Sequence, residues 1–109
     1  MEHGKRSNYL TKKCRCSLCR DAEKDYQLRK KYGITLARFN QMMINQNHEC
    51  AACRVEWIEW EKQFAVDHDH ATGQVRGLLC QGCNVALGHI REDPKRLAGL
   101  VEYLQRYSV

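Results

Sequence analysis

Apolar residues recur at helical spacing in two stretches, and each stretch begins with residues that favour a helix start. Thr35 is a candidate N-cap for a helix that runs to about Asn45 with four apolar side chains on one face. Asp93 and Pro94 supply an N-cap and a first-turn proline for a C-terminal helix, whose apolar side chains follow the spacing i, i+3, i+4 and i+7. The two apolar faces consist of Leu36, Phe39, Met42 and Met43, and of Leu97, Leu100, Val101 and Leu104.

A third helix is predicted from the order of charges. Between residues 21 and 32 the acidic side chains come first and the basic side chains last, and Gly33 follows directly. This order complements the helix dipole, and glycine commonly ends a helix, so the stretch predicts a short, solvated helix.

The hydrophobic pattern changes to short apolar runs in the second half of the chain. Residues 64–66 and 74–79 flank a turn that contains Gly73, which predicts two strands of a β-hairpin. A further helix is expected to begin near Gly82 or Cys83.

Length, composition and charge limit the possible functions. The 109 residues, 12.8 kDa, fit one domain with a modest core and exclude a two-domain enzyme. Three segments differ in composition: a basic arm with three cysteines (1–20), a helical segment (21–47), and a core with the C-terminal helix (48–109).

No apolar run approaches the roughly 18 to 20 residues that span a bilayer, so we expect no membrane association. The net charge of +5, from 18 basic and 13 acidic residues, favours a polyanionic partner such as nucleic acid.

Seven cysteines in so short a chain predict either disulfides or a metal site. The polar N-terminus lacks the apolar stretch of a secretory signal, so we expect a cytoplasmic location, in the host cell if the protein is phage-encoded. In that reducing compartment zinc is the expected partner of the cysteines.

Two C-x-x-C pairs carry the strongest metal signal. Cys50 and Cys53 are separated from Cys80 and Cys83 by 26 residues. Each pair can direct both sulfurs at one tetrahedral ion, and four thiolates fill every position, so a structural zinc is predicted. The alternatives are four reduced cysteines without metal, or a redox pair, for which the surrounding βαβ pattern is missing.

The remaining cysteines form a looser pattern. Cys14, Cys16 and Cys19, together with His3 or His48, are candidates for a second zinc site.

Four consecutive polar residues follow the first predicted strand. Strand alternation would direct Asp67 and Asp69 to one face and His68 and His70 to the other, and the alternative is an exposed turn flank. Closure of the zinc site would bring Asn84 toward this hairpin. A carboxylate and an amide oxygen suit magnesium or manganese, and a histidine beside the cation can take a proton from water.

Several motifs together resemble one known family. They are Cys50-x-x-Cys53, Val66-Asp67-His68-Asp69-His70, Thr72-Gly73, Val75-Arg76-Gly77-Leu78-Leu79-Cys80, Cys83-Asn84 and Leu87-Gly88. This pattern is similar to the recombination endonuclease VII family of phage nucleases, which are His-Me finger, or ββα-metal, endonucleases related to HNH enzymes. The resemblance covers roughly residues 26–107. It implies an α+β fold, with a small zinc-stabilised ββα-metal core and flanking helices.

The resemblance also implies roles for individual residues. Asp67 and Asn84 would hold a catalytic magnesium or manganese ion, and His68 would be the general base that activates water. His70 would contact the scissile phosphate or support the metal site. The structural zinc ligands would be Cys50, Cys53, Cys80 and Cys83. The implied reaction is hydrolysis of a DNA phosphodiester bond.

Candidate DNA contacts are dispersed. As a group, the basic residues are candidate phosphate contacts, whereas for any single one a solvated surface charge is the favoured interpretation. They are Arg76, Lys30, Lys31, Lys5, Arg6, Lys12, Lys13, Arg15 and Arg29. Trp57 and Trp60 could stack on an unpaired base or pack within the fold.

The sequence leaves open whether the DNA is duplex, nicked or branched, and whether the protein is a monomer or a homodimer. The alternative functions are a non-catalytic, zinc-stabilised DNA-binding module and a thiol redox protein.

Overall fold

The computed structural model describes Gly4, Arg6 and residues 16–58 and 62–108. In this part of the chain four helices accompany one two-stranded antiparallel sheet, so the fold is mixed α+β. The elements in order are α1 (Ser17–Tyr32), α2 (Leu36–Asn45), β1 (Ala65–His68), β2 (Val75–Leu79), α3 (Gln81–His89) and α4 (Pro94–Arg106).

Helix α1 ends as predicted but begins earlier than the charge order indicated. At its C-terminus Gly33 adopts a left-handed conformation, φ 72°, and donates its backbone N–H to the carbonyl of Arg29. At its N-terminus the sulfur of Cys16 accepts a hydrogen bond from the Cys19 N–H, so the helix begins at Ser17 rather than near Asp21.

Helix α2 begins and ends where the sequence predicts. The Thr35 hydroxyl accepts from the Arg38 N–H at 3.0 Å, and the Asp25 carboxylate of α1 accepts from the Leu36 N–H at 2.7 Å. Two of the unpaired N–H groups at the start of the helix are thereby satisfied. The buried face of α2 consists of Phe39, Met42 and Met43, in agreement with the predicted apolar face.

The sheet contains one irregularity. Asp67 pairs with Gly77, but the next residue, His68, pairs with Val75, so Arg76 is an extra residue on β2. In a regular ladder Arg76 would point to the face opposite Gly77 and hence opposite Asp67. A bulge of this kind changes the direction of a side chain, and it allows Arg76 to meet Asp67.

The core lies between α1, α2 and the sheet. Its buried members are Leu28, Phe39, Met42, Met43, Cys50, Phe64, Val66, Leu78 and Leu79. The Gln46 amide, just beyond α2, accepts from the Leu78 N–H and donates to the Leu78 carbonyl, each at 3.0 Å, and so fixes α2 to β2. Trp57 packs against this core, while Trp60 lies outside the described residues.

Helix α4 forms over the predicted stretch, with Asp93 as its N-cap. The four residues of its apolar face are exposed in this chain, from 46% for Val101 to 65% for Leu104. Among the described helices, none is both long enough and apolar enough to cross a membrane.

The cap of α2 leads to a stability prediction. Replacing Thr35 by Ala should lower the free energy of unfolding by about 1 kcal/mol, because the Arg38 N–H loses its acceptor. Thr35→Ser retains the hydroxyl and should remain close to wild type in urea unfolding of the metal-loaded protein. Equal stability of wild type and Thr35→Ala would contradict the capping role.

Candidate metal centre and active-site cleft

The two C-x-x-C pairs converge as their spacing predicted. Cys50 and Cys53 lie in a tight turn that a bridge between Glu49 and Glu56 closes. Cys80 directly follows β2 and caps α3, where its sulfur accepts from the Cys83 N–H at 3.4 Å. The four sulfur atoms all lie within 4.8 Å of one another.

The cluster is compatible with a structural zinc ion. A tetrahedron with zinc–sulfur distances of about 2.3 Å has sulfur–sulfur edges of about 3.8 Å. The Cys53 and Cys80 sulfurs are 3.7 Å apart, close to that edge.

Ionisation of the thiols differs across the cluster. Burial opposes ionisation of Cys50, but backbone N–H groups of Cys80, Cys53 and Ala52 donate to its sulfur, and together they lower its pKa to about 6. Burial, followed by the neighbouring sulfurs, raises the pKa of Cys83 to about 12. Four thiolates in this space therefore need the compensating charge of a cation.

The N-terminal cysteines share one feature with this cluster. Cys16 caps α1 through its sulfur as Cys80 caps α3, and Cys19 is completely buried. Cys14 and His3 lie outside the described residues. Within the described residues, only the Cys50 cluster gathers three or more potential metal ligands, so a second zinc site stays a prediction.

A cleft of about 580 Å³ lies between the hairpin, α3 and the turn that follows α3. Asp67, His68 and His70 line it from the hairpin, and Asn84 lines it from the first turn of α3. Asn84 directly follows Cys83 in the chain, so the cysteine cluster sets the position of its backbone. The structure thus gathers the four residues that the sequence singled out for catalysis.

The two histidines lie together in this cleft. Their rings stack with centroids 4.9 Å apart and an angle of 11° between planes, and the Tyr32 ring lies 5.7 Å from His68. His68 is half-buried, whereas the His70 side chain is 76% exposed. The Tyr32 and His70 rings therefore limit the orientation of the His68 imidazole.

The predicted alternation through the four polar residues is confirmed for the two histidines, whose rings stack on one another, but the strand ends before it reaches Asp69. Strand β1 ends at His68, and Asp69 belongs to the turn, where its carboxylate accepts from the N–H groups of Ala71 and Thr72 at 2.8 and 3.0 Å. Those two hydrogen bonds lower the pKa of Asp69. Asp67 and His68 line the same cleft, and Asp69 is not among its lining residues.

Arg76, which the sequence suggested as a phosphate contact, forms ion pairs with two carboxylates of the protein. It forms two hydrogen bonds with Asp67, from Nε at 2.8 Å and from Nη2 at 2.9 Å. The same Nη2 donates to Glu92 at 2.7 Å. Hydrogen bonding to Asp67 and Glu92 raises the pKa of Arg76 above its already high value.

Sequence reasoning missed Glu92, which also lines the cleft. It lies in the turn between α3 and α4, where it and Arg91 both have left-handed backbone conformations, φ 54° and 55°. No spacing or motif separates this glutamate from the neighbouring acids and bases, so the sequence carries no signal for its position.

The other candidate DNA contacts are scattered. Lys30 and Lys31 are exposed in the last turn of α1, the turn that also carries Tyr32 into the cleft. Arg29 pairs with Asp25 at 2.8 Å, and Arg6 stacks over the Tyr26 ring at 3.5 Å. The remaining candidates lie outside the described residues: Lys5, Lys12, Lys13 and Arg15.

Comparison with known proteins identifies relatives over most of the chain. The profile of a family described as recombination endonuclease VII matches residues 25–106. The chain is 38% identical over 76 residues to the Gene 59 protein of Mycobacterium phage D29, which covers 69% of this chain and 46% of the relative. It is 40% identical over 74 residues to the Gene 59 protein of Mycobacterium phage L5, with 67% and 44% covered. The chain spans about half the length of these relatives, and no solved structure matches it.

The cysteine cluster leads to a prediction about metal removal. Structural zinc sites contribute about 10 to 16 kcal/mol in small zinc-finger systems, which equals or exceeds the whole stability of a typical domain. Cys50→Ser should therefore lose the bound zinc and the hairpin, as measured by elemental analysis and by dispersion of the amide NMR spectrum. Ala52→Ser, which adds a hydroxyl within the same turn, should retain both. A folded Cys50→Ser protein without zinc would contradict a structural metal.

Proposed function

Because the chain belongs to the recombination endonuclease VII family, we propose that it is a divalent-cation-dependent DNA endonuclease of the HNH-like type. In this proposal β1, β2 and α3 form a His-Me finger, or ββα-metal, core that a zinc ion at the four cysteines stabilises. Family membership by itself indicates a nuclease-related role. The observation that carries the finer proposal is the cleft in which Asp67, His68 and Asn84 meet.

Asp67 and Asn84 would hold the catalytic magnesium or manganese ion. A carboxylate oxygen and an amide oxygen are ligands that suit these hard cations. When bound, the cation supplies neutralisation of the negative charge that develops on the phosphate and on the leaving oxygen. The backbone of Asn84 is held for this task in the first turn of a helix that begins at the cysteine cluster.

His68 would accept the proton of the attacking water. An imidazole is suited to this step because its ordinary pKa is close to neutral pH. The rings of Tyr32 and His70, which both contact the His68 ring, support its orientation in this proposal. His70 lines the cleft with an exposed side chain and would contact the phosphate.

DNA is the substrate that this chemistry and the basic charge of the chain favour. Lys30 and Lys31 add positive charge at the end of α1, next to the cleft. Phosphate contacts of this kind would make binding weaken steeply with salt, because each neutralised phosphate releases counterions.

One observation favours the alternative of a non-catalytic, zinc-stabilised DNA-binding module. Arg76 already neutralises the carboxylate of Asp67, which removes the local need for a cation. Plasmid nicking distinguishes the two functions. A catalytic cleft predicts that the zinc-loaded protein nicks supercoiled plasmid only with added magnesium or manganese, whereas a binding module predicts no nicking.

Substitution of His68 tests the proposed mechanism. His68→Ala should lower the rate of plasmid nicking roughly 100- to 10,000-fold, because the water loses its base. The melting temperature and the zinc content should remain those of the wild type, since the ring belongs to the cleft and not to the cysteine cluster.

His89→Ala is the matched control for this experiment. His89 is exposed at the end of α3 and does not line the cleft, so its loss should leave nicking unchanged. Full nicking by His68→Ala, or loss of zinc and fold in that variant, would contradict the assigned role.

A further inference from the structure

Three charged side chains are linked beside the cleft: Asp67 and Glu92 line it, and Arg76 joins the two carboxylates. Arg76 binds both carboxylate oxygens of Asp67, and its Nη2 is shared with Glu92. The Glu92 carboxylate also lies 4.0 Å from Nε2 of His70. The proposed cation ligand is thus occupied by a cationic side chain of the same protein.

Two separate backbone irregularities bring these side chains together. The bulge in the sheet makes Arg76 the extra residue of β2, which directs it toward Asp67. The left-handed turn at Arg91 and Glu92 directs the second carboxylate to the same guanidinium. Bulges are over-represented next to active sites, and left-handed residues other than glycine are uncommon, so the coincidence of the two irregularities supports a role for the pair.

Arginine and a divalent cation compete for the same oxygen atoms. A guanidinium keeps its charge at every physiological pH, so proton loss cannot remove it from Asp67. For a cation to bind, the Arg76 guanidinium has to move away or to release one of the two Asp67 oxygen atoms that it contacts. Glu92 provides a ready partner for that movement, because it already accepts one N–H of Arg76 at 2.7 Å.

We propose that Arg76 is the resident counter-ion of the cation site and that Glu92 is the residue that receives it when a divalent cation binds Asp67. This inference rests on the proposed function, since it takes Asp67 as a cation ligand. Arg76 and Glu92 are positioning residues: the arginine keeps the carboxylate paired before the cation arrives, and the glutamate lowers the cost of its release.

The signs of the expected effects are opposite for the two residues. Arg76→Gln removes the competitor and should tighten binding of Mn²⁺ roughly five- to tenfold, the size of a partly exposed, hydrogen-bonded ion pair. Glu92→Gln leaves Arg76 with Asp67 alone and should weaken Mn²⁺ binding by a similar factor. In Arg76→Gln the further change Glu92→Gln should have no effect, because the glutamate acts through the arginine.

The experiment measures Mn²⁺ affinity of the full, zinc-loaded chain by electron paramagnetic resonance without DNA. Asp67→Asn establishes whether the signal comes from this site. Arg91→Gln is the matched control: it removes one arginine charge at the cleft, as Arg76→Gln does, but among the described residues Arg91 forms no ion pair. Its Mn²⁺ affinity should stay within about twofold of the wild type.

The outcomes separate the inference from the proposed function. Mn²⁺ binding that is absent, or insensitive to Asp67→Asn, overturns the cation site itself. Binding that depends on Asp67 but weakens or stays constant in Arg76→Gln overturns the counter-ion role alone. An effect of Glu92→Gln that persists without Arg76 makes Glu92 a direct ligand and overturns its role as receiver. Glu92→Gln preserves the Asp67 ion pair, so it remains informative if Arg76→Gln fails to fold.

Discussion

The meeting of four cysteine sulfurs is the interaction on which the rest of this molecule depends. The buried apolar core is small, and α3 contributes no buried residue to it. Leu87 of α3 packs partly buried against this core, and Cys80 and Cys83 tie the first turn of the helix to the turn at Cys50. Because Asn84 follows Cys83 directly, the same cluster sets one wall of the cleft.

Local signals in the sequence were sufficient for most of the secondary structure and for the cysteine cluster. Thr35 before α2 and Asp93 with Pro94 before α4 are capping patterns whose physics is contained within a few residues. The C-x-x-C spacing is equally local. The start of α1 was misplaced because a sulfur cap at Cys16 outweighed the charge order on which the prediction relied.

The other parts that sequence reasoning missed involve contacts between residues nine or more positions apart in the chain. Strand alternation indicated opposite faces for Asp67 and His68, and it could not reveal a bulge whose extra residue, Arg76, lies on the partner strand. The position of Glu92 depends on an irregular turn with no repeating pattern. Family membership adds the nuclease-related role, which neither the fold nor the composition carries by itself.

The junction between β2 and α3 has a consequence for how the chain tolerates changes in length. Cys80 ends the strand and caps the helix, so no connecting loop is available to absorb an added residue. One residue inserted after Cys83 would turn the following side chains by about 100° around the helix axis. The Asn84 amide would then point away from the Asp67 carboxylate. The exposed turn at Ala71–Gln74 has no such restriction, so natural variation in length is expected there and not at the junction.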